Sequence, residues 1–383
     1  MGVPVVASIG YTKVSEHWGE GLEGLSHMAL EMLLNDLPSL ELDAIYVGTA
    51  LSGFYELQMS LASHIADLIC EYDVTVSNFE AGGASSAQAL FNAILGIKSG
   101  VYKAVLIGGV EKMSDEMPHR IQRGMSLVEN SFLVDYSGLT EISLHALLAK
   151  MYIKEYGVDR GMISYLPVIE HENASRASHA QFRNKISIET ILNAPYIADP
   201  LTIFDVTAPG DGAAYILVMD ESQAKSIGVD YVKISGYGSA SQPSHMLTRT
   251  SPLFFSASSR AVEKALDMAN VEISDIGVIE MYNQSSIAGA VLLESIGVAE
   301  RGGVGELLKD GYFSISGDKP VNTFGGAKAR GDPKGATTMY QVVEGFLQLL
   351  GKAGENQVSN VDRVLVHSMV GLDISSYAYV LEV

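Results

Sequence analysis

One pattern occurs twice in this chain, and it constrains the fold more than any other feature. Residues 76–109 read as a short apolar strand, a Gly-rich loop, a helix and a second strand. Residues 320–371 repeat that order, and an Asn stands at the start of both loops, Asn78 and Asn322. Units of this kind build α/β sheets, in which ligands bind beyond the carboxyl ends of the strands. The sequence therefore predicts a duplicated α/β fold with a ligand-facing loop in each half.

Other apolar runs predict the remaining elements. We predict strands at 3–11, 44–51, 102–111, 212–220, 232–241, 275–282, 363–371 and 375–383, and helices at 20–36, 256–269 and 284–296. Because helices separate many of these strands, we expect a mainly parallel sheet. Residues 112–210 interrupt the alternation and are richer in Met, His, Asn, Arg and Tyr. We interpret them as an inserted subdomain that covers the sheet.

Composition limits the class of protein. With 47% hydrophobic and 18% charged residues, the chain can bury a large core. No apolar run approaches the roughly 20 residues of a membrane span, and no secretory signal is recognisable, so we expect a cytoplasmic protein. The net charge of −20 disfavours nucleic acid as a partner. The single cysteine, Cys70, excludes an intrachain disulfide and a cysteine-rich metal site, and we expect it to be buried and inert.

Three motifs in the right order resemble the thiolase superfamily. Residues 76–115 resemble the segment with the nucleophilic cysteine, 179–220 the end of the loop domain, and 321–351 the Gly-rich start of a helix. The resemblance covers nearly the whole chain and is closest to the sterol-carrier-protein type of thiolase. It implies an α/β thiolase fold, in which two βαβαβαββ halves form five layers (αβαβα) beneath an inserted loop domain.

The resemblance also implies a domain division and an assembly. Residues 1–111 and 211–228 would form the N-terminal half, 112–210 the loop domain, and 229–383 the C-terminal half. The implied ligand is an acyl-CoA thioester, with no tightly bound cofactor. The implied assembly is a homodimer or a dimer of dimers, with the strand at 74–78 in the interface. Proteins of this type can also pair with a small zinc-ribbon/OB-fold protein and with hydroxymethylglutaryl-CoA synthase.

The catalytic side chains differ from the thiolase pattern, although the glycines around them are kept. Glu80 stands where the nucleophilic cysteine is expected, and Asp332 replaces the His of the G-H-P motif. Tyr282 replaces the His of the H-D-x-F motif. In the H-N-x-G-G motif Ser368 replaces the Asn, while the second glycine is retained as Gly371. An acyl-cysteine mechanism therefore lacks its essential groups.

Two interpretations of each replaced residue stay open. A carboxylate cannot act as a simple acyl acceptor, since it would form an easily hydrolysed anhydride. Glu80 can be a general acid or base that shares a pocket with Asp332, or each carboxylate can only stabilise a helix N-terminus. Tyr282 can be a core residue, or it can supply a hydroxyl, as tyrosines are thought to do in the related sterol side-chain aldolases. Asn283 and Ser368 could donate hydrogen bonds to a thioester oxygen.

Basic residues are few, so those near the loops are candidates for binding the phosphates of CoA. The candidates are Arg176, Arg183, Lys185, Lys328 and Arg330. Solvated surface charge is the alternative for each of them. Gly371 is a further candidate contact for the CoA ligand. No histidine, cysteine or carboxylate spacing indicates a metal site.

Three functions are compatible with these observations. The first is aldol-type carbon–carbon chemistry on a CoA thioester, carried out by Glu80, Asp332 and Tyr282 without an acyl-enzyme. The second is a non-catalytic subunit that binds acyl-CoA or organises a complex. The third is acetyl-CoA C-acetyltransferase activity, which the family resemblance alone would suggest and which the missing cysteine disfavours.

Overall fold

A nine-stranded sheet runs through the computed structural model, which describes residues 2–35, 37 and 41–383. The elements in chain order are β1 (Pro4–Tyr11), α1 (Leu22–Asn35), β2 (Ala44–Gly48), α2 (Ser52–Tyr55), α3 (Leu61–Leu68), β3 (Thr75–Phe79), α4 (Ser85–Ser99), β4 (Ala104–Glu111), α5 (Pro118–Ser126), α6 (Glu141–Tyr156), α7 (Arg160–Ile163), α8 (Tyr165–Ala174), α9 (Ile188–Leu192), β5 (Tyr196–Ala198), β6 (Leu201–Thr202), β7 (Gly212–Asp220), α10 (Glu221–Ile227), β8 (Val232–Ser241), α11 (Ser256–Ala269), β9 (Val278–Met281), α12 (Ser286–Ser295), α13 (Val304–Lys309), α14 (Thr337–Leu349), β10 (Arg363–Val370) and β11 (Ser375–Glu382).

The strands of the main sheet follow the order β3-β2-β4-β7-β1-β8-β11-β10-β9. Three neighbouring pairs are parallel: β2 with β3, β2 with β4, and β9 with β10. The other five pairs are antiparallel, so the prediction of a mainly parallel sheet is wrong. Helices between strands in the sequence do not determine the direction in which spatial neighbours run. The short link from β10 to β11, for example, makes an antiparallel hairpin.

Three hydrophobic clusters divide the protein into five layers. Helices α1 and α3 pack on the outer face of the first half of the sheet, and α11 and α12 cover the second half. Helices α4 and α14 lie between the two halves and contact each other as well as strands of both. The predicted five-layer α/β arrangement is therefore confirmed.

The two halves of the sheet meet at β1 and β8, which pair at only two positions. Val5 lies opposite Lys233, and Val6 lies opposite Val232.

The segment 112–210 contributes helices α5 to α9 and the small β5–β6 sheet, but no strand of the main sheet. Its status as a separate loop domain stays a prediction. In the part of the chain that the structure describes, no helix is both long and apolar enough to span a membrane.

The loop that follows β3 is fixed by a close approach between β2 and α4. A side chain at Gly48 would overlap the backbone nitrogen of Ser86, so only glycine lets the helix start this close to the strand. Asn78 accepts a hydrogen bond from the backbone N–H of Ala62 at 2.7 Å and ties β3 to α3. These contacts fix the position of Glu80 at the carboxyl end of β3.

Cys70, just beyond α3, is exposed, so the expectation that it is buried is wrong.

Candidate active site

A cavity of about 220 Å³ lies at the carboxyl end of β3, and we call it the Glu80 cavity. Its lining residues are Ala50, Leu51, Phe54, Glu80, Gly82, Gly83, Gly124, Met125, Leu127, Val128, Gln284 and Lys334. Most of the wall is apolar, and a carboxylate, an ammonium and an amide supply its polar groups. Apolar pockets with a few convergent polar groups are typical ligand sites.

Glu80 is exposed and contacts its own loop. Its Oε1 accepts a hydrogen bond from the backbone N–H of Gly82 at 2.9 Å. This bond helps to hold the loop before α4. Glu80 also lines the cavity, so the structure is compatible with both interpretations of this carboxylate, as a loop-holding group and as an acid or base.

Tyr282 and Asp332 form a buried pair behind the loop that follows Glu80. The Tyr282 hydroxyl donates to Asp332 Oδ2 at 3.1 Å, and the Thr337 hydroxyl donates to Oδ1 at 2.8 Å. Both members of the pair are fully buried, and a Cβ at Gly83 would lie 2.6 Å from the Tyr282 hydroxyl. Burial, together with the nearby charge of Asp332, raises the pKa of Tyr282 well above 10. Tyr282 therefore keeps its proton at neutral pH, and neither member of the pair lines the Glu80 cavity.

Lys334 is the functional candidate that the sequence reasoning missed. Its Nζ lies 3.3 Å from both carboxylate oxygens of Glu141 and 3.9 Å from Asp332 Oδ2. Burial acts to lower the pKa of Lys334, but the two carboxylates outweigh it and raise the pKa above 10.5. Lys334 is therefore an ammonium inside the cavity. The available signal was the lysine in "DPKGA", two residues after Asp332 and followed by small residues.

Glu141, the first residue of α6, connects the cavity to segment 112–210. The Gln284 side chain donates to Glu141 Oε1 at 3.0 Å, and Lys334 contacts both oxygens of the same carboxylate. Burial raises the pKa of Glu141, Lys334 opposes that shift, and Asp332 adds to it. A continuous polar chain thus runs from Gln284 through Glu141 and Lys334 to Asp332.

Family models match both halves of the chain. Residues 14–222 match the thiolase N-terminal domain, and residues 238–383 match the thiolase C-terminal domain-like family. The chain belongs to the thiolase family. The acetyl-CoA acetyltransferase of Methanothermobacter thermautotrophicus is 32% identical over 368 residues, which cover 96% of each chain.

Two solved structures share the fold of this chain. The Ltp2-ChsH2(DUF35) aldolase superposes with a TM-score of 0.85 at 21% identity, covering 99% of this chain and 97% of that chain. A monomeric SCP2-thiolase like protein type 1 from Mycobacterium smegmatis superposes with a TM-score of 0.74 at 17% identity, covering 99% of this chain and 77% of that one. The family models and the 32% identical relative confirm the predicted membership in the thiolase superfamily.

Asn283 and Ser368 lie near the thiolase motifs but not at the cavity. The Asn283 side-chain oxygen accepts from the Asn322 amide at 2.9 Å, and the Ser368 hydroxyl accepts from Thr338 at 2.8 Å. Both residues are buried, and neither lines the Glu80 cavity. Their role as oxyanion donors stays a prediction, and in this structure their side chains bond to Asn322 and Thr338.

Lys328 and Arg330 are not positioned to bind the phosphates of CoA. Arg330 is fully buried, and its guanidinium lies 3.2 Å from Glu344 Oε2. The Lys328 ammonium is buried and donates to the backbone carbonyls of Ile203 and Val206. Both cations are used inside the protein, so neither is open to a ligand phosphate. This corrects their prediction as phosphate ligands.

The remaining basic candidates lie on the surface of segment 112–210. Arg176 and Lys185 both pair with Glu172, each at 2.6 Å, and Arg183 is exposed.

Gly371 has a positive φ of 50° in the turn after β10, a backbone conformation that favours glycine. Within residues 2–35, 37 and 41–383, no group of three or more His, Cys, Asp or Glu side chains is arranged to hold a metal ion.

Proposed function

We propose that this thiolase-family protein cleaves the Cα–Cβ bond of a β-hydroxyacyl-CoA thioester without an acyl-enzyme. The observation that carries the proposal is the presence of Glu80 and Lys334 in one cavity, where the thiolase motif would have its cysteine. A carboxylate and an ammonium can move protons and stabilise negative charge, but they do not replace a thiolate nucleophile. The fold shared with an aldolase supports the same reaction class.

In this reaction Glu80 accepts the proton of the β-hydroxyl group as the Cα–Cβ bond breaks. The hydroxyl-bearing carbon becomes the carbonyl of a leaving aldehyde or ketone. The electron pair of the broken bond forms the enolate of the shortened thioester. Glu80 then returns its proton to Cα, so that atoms and charges balance and no further reactant is consumed.

Lys334 stabilises the enolate oxygen in this scheme. Its raised pKa keeps the side chain charged at neutral pH, which suits an electrostatic role and does not suit attack by a free amine. Asp332 has a positioning role, since its carboxylate lies 3.9 Å from Lys334. Tyr282 acts through Asp332, because its hydroxyl donates to that carboxylate and its side chain is fully buried.

Ligand and partner binding complete the proposal. Arg176, Arg183 and Lys185 lie close together in sequence and are the remaining candidates for CoA phosphates. We further propose a homodimer that works with a small zinc-ribbon/OB-fold protein. The name of the aldolase structure, which joins Ltp2 to ChsH2(DUF35), supports a partner protein.

The test is an assay of purified protein with β-hydroxyacyl-CoA esters, with and without such a partner. Mass spectrometry should detect the shortened acyl-CoA together with the aldehyde or ketone. Glu80→Gln should lower kcat/KM by about a hundredfold or more, since it removes the acid–base group and keeps the side-chain volume. Glu31→Gln is the matched control, because Glu31 is exposed on the outer helix α1 and should leave the rate unchanged.

Two outcomes would contradict this function. One is a stable acyl-enzyme, or thiolysis of acetoacetyl-CoA above background, either of which would indicate ordinary thiolase chemistry. The other is a failure to cleave any β-hydroxyacyl-CoA with or without the partner.

A non-catalytic role is the second candidate, and the bond from the Gly82 backbone to Glu80 favours it. In that case Glu80 only holds the loop, and the protein binds acyl-CoA or organises a complex. Acetyl-CoA acetyltransferase activity has less support. Cys70 is the single cysteine of the chain, and it does not line the Glu80 cavity.

A further inference from the structure

Glu80 borders a second cavity, which we call the β3-edge cavity. It has a volume of about 240 Å³ and lies beside the last residues of edge strand β3. Three residues line both cavities: Ala50, Phe54 and Glu80. A molecule that reacts at Glu80 can therefore extend in two directions, into the Glu80 cavity towards Lys334 and into the β3-edge cavity.

The two cavities differ in chemistry. Lys334 lines only the first, and among the described residues that line the β3-edge cavity Glu80 alone is ionisable. Phe54, Met59 and Phe79 supply apolar wall. The uncharged polar residues that line it are Thr49, Ser52, Gln58, Ser60 and Asn78. The Asn78 side-chain oxygen is engaged by the Ala62 N–H. The second cavity therefore suits an uncharged group that packs against its apolar side chains, whereas the first suits a group that develops negative charge.

We propose that the β3-edge cavity binds the carbonyl fragment that leaves from Cβ, and that this fragment is an apolar ring or branched chain. The inference rests on the proposed function, in which the thioester oxygen must lie near Lys334. The substituent on Cβ is then on the other side of Glu80. At about 30 Å³ for each water-sized group, the cavity accommodates a fragment of about eight heavy atoms.

A larger side chain at Gly53 would fill the β3-edge cavity and leave the Glu80 cavity unchanged. Gly53 lies in α2 and lines the β3-edge cavity but not the Glu80 cavity. A Cβ at this position would meet only Met59 Cγ, at 3.8 Å, which is an ordinary contact. Gly53→Leu should therefore occupy the space without moving the backbone. Gly19→Leu is the matched control, since a Cβ at Gly19 has no neighbour within 4 Å and the residue lines neither cavity.

The experiment measures binding of two analogues that lack the β-hydroxyl group and cannot be cleaved. 3-Phenylpropanoyl-CoA carries a ring for the second cavity, and butanoyl-CoA carries only a methyl group. Isothermal titration calorimetry should show that the parent binds the phenyl ester at least about tenfold more tightly, because the ring leaves water for an apolar wall. Gly53→Leu should abolish that preference and leave butanoyl-CoA binding unchanged. Gly53→Ala should be intermediate, and Gly19→Leu should match the parent.

Two results would overturn the proposal: equal affinity of the parent for both esters, or equal weakening of both by Gly53→Leu. The binding data are independent of the cleavage assay. Cleavage without a binding preference for the phenyl ester would contradict the proposed subsite but support the proposed reaction. A binding preference for the phenyl ester without any cleavage would support the proposed subsite but contradict the proposed reaction.

Discussion

At the scale of single residues, Lys334 balances two buried carboxylates, Glu141 and Asp332. Removing one partner from a buried ion pair leaves an uncompensated charge and typically costs about 3–5 kcal/mol. We therefore predict that Lys334→Met lowers the free energy of unfolding by about this amount, although the new side chain nearly fills the same space. Urea denaturation at pH 7, followed by circular dichroism, measures the change.

Two further variants make this prediction specific. Lys334→Met combined with Glu141→Gln should recover part of the lost stability. Without Lys334 the Glu141 carboxylate loses the cation beside it, and the amide that replaces this carboxylate would carry no charge. Lys309→Met, at an exposed position at the end of α13, should change stability by no more than about 0.5 kcal/mol. An unchanged urea midpoint for Lys334→Met would mean that the ion pair contributes nothing to folding.

Glu129 makes stability depend on pH. Its carboxylate accepts a hydrogen bond from the Leu372 N–H at 3.0 Å. Burial raises the pKa of Glu129 to about 7, and Glu141 adds to the shift, whereas the Leu372 bond, Arg249 and Lys334 oppose it. Because the folded-state pKa lies above the ordinary value of 4.5, this group stabilises the fold fully below pH 4.5. That contribution is lost as the pH rises through 7.

Glu129→Gln should remove this dependence, since the amide cannot ionise and its oxygen can still accept from Leu372. The stability of the parent relative to the variant should fall by about 2–3 kcal/mol between pH 5 and pH 8.5. Chemical denaturation of both proteins across that range measures the difference. Glu31→Gln should give a profile parallel to the parent. A parallel profile for Glu129→Gln would indicate that Glu129 is already ionised at pH 5.

At the scale of elements, the sequence located strands and helices well but not their directions. The predicted elements at 212–220, 232–241 and 256–269 coincide with β7, β8 and α11. A continuous apolar run marks burial on both faces of a sheet, which is more typical of parallel strands. Here β7 is buried along nearly its whole length yet antiparallel to both neighbours. Strand direction depends on the path of the chain, which a local pattern does not contain.

The candidate site was partly predictable for a similar reason. Glu80, Tyr282 and Asp332 were found because each replaces a residue within a local motif. The burial of Lys328 was not predictable, because the carbonyl oxygens that hold it belong to residues more than 120 positions earlier in the chain. The role of Lys334 depends in the same way on Glu141, which lies in another segment.

At the scale of the whole molecule, edge strand β3 indicates an assembly. Among the described strands it pairs only with β2, and all five of its residues are at least partly exposed, with Val76 36% exposed. An unpaired edge of this kind is a ready interface. We predict a homodimer that forms through β3, with about twice the 41.0 kDa mass of the chain in light scattering at micromolar concentration.

A charge on the edge strand tests this assembly. Val76→Lys should shift the scattering mass towards the monomer, because the interface would bury an unpaired ammonium. Val101→Lys should remain dimeric, since Val101 is exposed and lies outside β3, in the turn after α4. A monomeric parent, like the M. smegmatis structure that shares this fold, would contradict the prediction.

The exposure of Cys70 has a practical consequence for such measurements. The chain contains one thiol, and it lies at the surface between α3 and β3. A maleimide dye would thus attach at one known position without any engineered substitution. Two protomers joined through β3 would each carry one dye near the shared edge. Energy transfer between donor-labelled and acceptor-labelled chains would then report subunit exchange in real time, at concentrations too low for light scattering.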